Sequence, residues 1–172
     1  MNIVDAIYIF SSIFMLGLIW VIQLVHYPSF LFVDNSKFVK FEKFHSQKIT
    51  YIVMPMMIAE IVSCSMIVVR DYWLGDGSWF WMINMISLLG IWLSTFCLSI
   101  PCHAKLRRGY CPATIKRLID TNWPRTFLWT VKGCLVICWM CGFVWSIDAL
   151  IHLKRGISRK LYISKKYVFS DD

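Results

Sequence analysis

Apolar residues in this chain gather into four long runs, divided by shorter polar and basic stretches. The first, IVDAIYIFSSIFMLGLIWVIQLVH, predicts a helix from Ile3 to His26. Tyr27-Pro28 predicts its end, because proline disfavours helical geometry in the residue before it. The second run predicts a helix from Ile49 to Val69, with Pro55 expected to kink it or thin its hydrogen-bond ladder. The third predicts a helix from Trp79 to Ile100, with Pro101 marking its end, and the fourth a helix from Arg125 to Leu150. Crossing the roughly 30 Å hydrocarbon core takes about 20 residues, and each run reaches that length.

The connections carry their own patterns. In SFLFVDNSKFVKFEKFHSQK, aromatics at 38, 41 and 44 alternate with Lys37, Lys40 and Lys43. That spacing sets an aromatic stripe beside a basic stripe, which predicts an amphipathic helix in the membrane interface, capped by Asn35 or Ser36. RDYWLGDGS is a short turn. CHAKLRRGYCPATIKRLIDTNWPR is a basic loop with a short helix from Pro112 to Asp120. No internal repeat is visible. The expected fold is all-α: an integral membrane four-helix bundle with an interfacial amphipathic helix between the first and second spans. It comprises one four-span domain over residues 1–150 and a basic tail over 151–172.

Composition strengthens this picture. Of 172 residues, 58% are hydrophobic and only 16% charged, where a soluble domain carries about 25% charged. A multi-pass integral membrane protein follows. Its nine Trp and seven Tyr suit two interfacial belts. The first run lacks a basic leader and is too long for a signal-peptide core, so it is expected to be retained. The net charge of +8 comes from loops and tail, which points to anionic lipid headgroups as partners and away from nucleic acid. The Trp, Phe and Met content also suits a membrane-protein partner or a second copy of the chain. The one CxxC, Cys138 to Cys141, lies in an apolar run without a second, so no disulfide framework is expected.

Threading four spans brings both termini to one end, side A, and His26, His45, His103, Asn122 and Arg125 to the other, side B. The loops of side B carry more Lys and Arg than those of side A, which places side B in the cytoplasm and Cys102 and Cys111 among reduced thiols. Three histidines at one mouth suit a transition metal, with His26, His45 and His103 as ligands and Glu42 or Cys102 as further donors. The same side chains could act as acid and base near neutral pH, or simply meet water and headgroups. Glu60 lies fifteen residues from His45, about 22 Å along a helix, and so outside that site. A carboxylate at such depth calls for a partner, and Lys132 is the one within reach; its alternative role is to carry protons. Asn122, Pro124 and Trp123 fit a helix cap, a first turn and an interfacial anchor, while Arg125 could hold a phosphate or a substrate oxyanion.

QLVHYPSF at the end of the first helix, FEKFH in the loop helix and LIDTNWPRTFLW before the last helix resemble small four-helix membrane proteins of the anthrone-oxygenase-like group. The resemblance implies a four-helix bundle that oxidises an aromatic substrate without an obvious cofactor. Carried onto this chain it implicates His26 and Arg125, with Asn122 and Trp123 as the cofactor- or substrate-contacting positions. Lys132 and the basic tail depart from the pattern. Two functions therefore stand side by side: an oxidoreductase or oxygenase with His26, His45, His103 and Arg125 as catalytic residues, and a non-enzymatic accessory or assembly subunit of a larger membrane complex. A small transporter built on Glu60 and Lys132 is a third, opposed by the lack of repeats.

Overall fold

The computed structural model describes residues 2–74 and 77–142, and these form four helices with no strand among them. Helix α1 covers Ile3–Phe32, α2 Asn35–Trp73, α3 Trp79–Leu106 and α4 Pro112–Met140. The first three are long and apolar enough to cross a membrane. The expected end of α4 near Leu150 and the basic tail over 151–172 lie outside the described residues. Helix α1 opens with a capping box: Asn2 accepts from the Asp5 amide at 3.0 Å, and Asp5 accepts from the Asn2 amide at 2.9 Å. Asp5 also pairs with Arg70 near the end of α2 at 2.8 Å.

Three sequence expectations are corrected. First, no separate interfacial helix stands between the first two spans. Residues 35–48 form the opening turns of α2, which runs unbroken through Pro55 to Trp73. Between Asn35 and Pro55 there is no glycine or proline to interrupt it. Asp34, and not Asn35 or Ser36, caps it, accepting from the Ser36 amide at 2.8 Å. The Ser36 hydrogen bonds hold the Asp34 carboxyl below its usual range. The aromatic stripe also faces inward at its start. Phe38 is fully buried and meets Phe30 and Tyr110 edge-on at 6.2 and 5.0 Å. Only Phe44 looks outward.

Second, the expected loop helix and the start of the expected fourth span form one helix, Pro112–Met140. Ile115, Leu118, Asn122, Arg125, Trp129, Lys132 and Val136 are all buried at spacings of three and four, so one buried face continues along the helix. Pro124 sits inside this helix, and Asn122 does not cap it.

Third, Tyr27-Pro28 and Pro101 do not end their helices. Each is preceded by a π-turn, Ile22–His26 and Thr95–Ser99, after which the helix resumes. The Tyr27 amide reaches back five residues to the Ile22 carbonyl, and the Ile100 amide to Thr95. A proline ring collides with the carbonyl four residues earlier, here those of Leu24 and Cys97, both within the widened turns. The wider turn relieves that clash without breaking the helix.

Helices α1 and α4 approach closely at Gly133. A methyl group added there would lie 2.5 Å from Leu16 Cδ2 and 3.2 Å from its Cγ. Gly133→Ala is therefore expected to cost about 1–3 kcal/mol through overpacking. Thermal melting in detergent checks this, and an unchanged midpoint would mean that Leu16 moves aside freely.

Candidate metal centre

The local geometry of three helices builds one polar cluster. Glu42 and His45 lie three residues apart on α2 and so share a face, and both are buried. His103 comes from α3 just past its π-turn, and His26 from the π-turn of α1. His103 Nδ1 lies 2.7 Å from Glu42 Oε1, and His26 Nε2 lies 2.7 Å from His45 Nδ1. The His45 and His103 rings are 5.7 Å apart. Glu42, His45 and His103 each offer one ligand atom within 4.8 Å of the others. His26 joins through its contact to His45.

Hydrogen bonding leaves two of these atoms over. Glu42 Oε2 and His45 Nε2 are buried and have no hydrogen-bond partner among the described residues. A buried polar atom without a partner costs roughly 1–3 kcal/mol, more when charged, so two in one cluster call for an explanation. The proton arrangement is consistent with ligation. If His45 Nε2 carries a lone pair, its Nδ1–H donates to His26 Nε2. His103 Nδ1–H donates to Glu42 Oε1, and its Nε2 faces the Tyr27 hydroxyl at 3.3 Å.

Arg125 stands behind this group. It is buried, it donates to Ser99 from the α3 π-turn, and its guanidinium lies 5.5 Å from the Trp129 ring. It also faces the Tyr27 hydroxyl. No carboxylate pairs with it among the described residues, and its Nε has no partner there. Asn122 is fully buried and donates to Gln23 Oε1 at 2.7 Å; Thr126 donates to the same oxygen at 3.2 Å. Asn122 thus ties α4 to α1, and its hydrogen bonds go to Gln23 and Thr126 and not to the histidines. Trp123 is exposed and meets Trp20 edge-on at 6.1 Å. Gln23 and His26, three residues apart, serve different neighbours because the π-turn rotates one away from the other.

Glu60 and Lys132 form a separate buried centre. Their charged atoms are 3.2 Å apart and both side chains are fully buried. Glu60 also accepts from Ser12 at 2.9 Å and from the Trp129 indole at 3.2 Å. Lys132 donates to Tyr8 Oη at 3.2 Å, and Tyr8 donates to Asn84 at 2.7 Å. Both Glu60 oxygens are partnered, which suits a structural tie. Cys102 and Cys111 are free thiols, the first buried and the second half-buried.

Tyr27 and Ser99 carry no sequence signal as site residues, and Glu42 was expected only as a further donor beside the three histidines. A single Glu-x-x-His, Glu42 to His45, was the only local signal. No protein-family model, curated protein or solved structure matches this chain.

Proposed function

We propose that this chain is a multi-pass membrane protein, a four-helix bundle, that binds one transition-metal ion through Glu42, His45 and His103 and serves oxidoreductase chemistry at one membrane face. The observation that carries this reading is that Glu42, His45 and His103 bring one ligand atom each within 4.8 Å of one another, while Glu42 Oε2 and His45 Nε2 are buried with no hydrogen-bond partner among the described residues. Two imidazoles and one carboxylate form the donor set of non-haem Fe(II) oxygenases, where open positions remain for substrate and oxygen. The bound ion would supply that redox chemistry. The chain's own residues hold it, orient it and place Tyr27 and Arg125 beside it. Among the described residues Arg125 has no carboxylate partner to neutralise it, so an anionic or phenolic oxygen fits next to it. This agrees with the oxidation of an aromatic substrate that the resemblance to the anthrone-oxygenase-like group implies.

Depth also favours the reading. The 39 residues of α2 make about 58 Å of helix, far beyond the roughly 30 Å hydrocarbon core. With Ile49–Val69 placed in that core, Glu42 and His45 lie at the headgroup level, where an ion can arrive from water.

Elemental analysis of the purified protein after anaerobic reconstitution with Fe(II), together with an absorption spectrum, tests the proposal. One iron per chain is expected. Protein that holds no iron, zinc or copper above background would sink the metal reading and favour an accessory subunit of a larger complex. His26→Ala is expected to weaken the metal about 10–100-fold by removing the hydrogen bond that orients His45. A competition titration with a coloured chelator measures it, and His26→Gln should recover part of the loss.

A further inference from the structure

The outer side of the His cluster opens onto a pocket of about 440 Å³. Lys43 and Arg107 flank it, His103 forms part of its wall, and among the described residues no carboxylate lines it. Thr50 and Tyr51 form its lower edge and are also the first residues of a second recess. That recess is an apolar groove of about 660 Å³ running along α2 from Tyr51 to Met66, with Val4 and Ile7 of α1 on its far side. Its floor is lowered by the small side chains of Pro55, Ala59 and Ser63. Fifteen residues of helix make it about 22 Å long, more than the roughly 15 Å depth of one leaflet's hydrocarbon. Basic at one end, apolar along the other and sharing Thr50 and Tyr51 in their walls, the two adjoining recesses match one molecule with an anionic head and a long tail.

We propose that pocket and groove form a single site for a long-chain carboxylate, whose head lies between Lys43 and Arg107 beside His103 and whose tail follows α2. Two cations favour an anion over a neutral head, and the Glu42 carboxylate bonded to His103 is not among the residues that line the pocket. The groove selects a straight apolar chain delivered from within the bilayer. This binding site is distinct from the aromatic substrate placed beside Arg125 above and does not rest on the oxidoreductase reading.

Palmitate carrying a mid-chain diazirine, photolysed with the full chain in nanodiscs, tests the site by peptide mapping. Label is expected on the Tyr51–Met66 segment, competed by palmitate and not by hexadecanol. The Lys43→Glu/Arg107→Glu double variant should lower it at least tenfold, and Ala59→Trp should block it. Melting and helicity report whether either variant remains folded. Undiminished labelling of the charge-reversed protein would overturn the proposal. So would label scattered over all lipid-facing helices, or stronger competition by phosphatidylglycerol than by palmitate. Metal content measured on the same samples separates the two readings. Protein without metal that still takes up palmitate overturns only the oxidoreductase reading, and metal-loaded protein without specific label overturns only this one.

Discussion

Lys132→Met is expected to destabilise the protein by about 3–5 kcal/mol, because it leaves the Glu60 carboxylate buried without its counter-charge. Glu60 would keep its bonds to Ser12 and Trp129, but neither carries charge. Tyr8 would lose the ammonium that lies 3.2 Å from its oxygen and 4.8 Å from its ring centroid. Glu60→Gln should cost a comparable amount by stranding Lys132. The double variant Glu60→Gln/Lys132→Met removes both charges and should recover much of the loss, so the single effects do not add. Thermal or denaturant unfolding in detergent completes this cycle. If both single variants melt like wild type, the two charges do not depend on one another.

His45→Ala is expected to lower metal affinity by at least about 100-fold, and His103→Ala by a similar factor, since in the proposed centre each would supply one of three ligands. Glu42→Gln keeps the shape of the side chain but replaces the charged oxygen, and it should weaken the metal while leaving the fold intact. The Gln oxygen can still accept from His103 Nδ1, and its amide nitrogen takes the place of Oε2, which has no hydrogen-bond partner among the described residues. Iron content per chain, read beside the melting midpoint, separates lost ligation from lost structure. Variants that retain stoichiometric iron would place the metal elsewhere.

Much of the helical architecture was legible because twenty-residue apolar runs have few other uses. Helix count alone carries His26, His45 and His103 toward one end, and helical rise alone separates Glu60 from His45 and brings it level with Lys132. The joints were not legible. Pro28, Pro101 and Pro124 all read as boundaries, since local geometry before a proline disfavours a helix. Tertiary packing overrides that preference: Phe30, Leu106 and Trp129 lie beyond those prolines and are fully buried. The Phe38 stripe misled for a related reason. Aromatic and basic residues alternate in the same way whether the aromatic face meets lipid or a neighbouring helix. Asn122 read as a cap because no sequence rule places Gln23 opposite it.

The two π-turns give α1 and α3 a tolerance that the other helices lack. Each holds one residue more than an ordinary helical turn, while the helix on either side keeps its facing. Elsewhere in a helix, deleting a residue swings everything beyond it by about 100° and turns a buried face outward. A deletion inside Ile22–His26 or Thr95–Ser99, coupled to loss of the proline that follows, would close the collar and leave both flanks in phase. Length polymorphism within this architecture should therefore concentrate at those two collars, and chains shorter by one residue there should keep the four helices while losing the aim of His26 or Ser99.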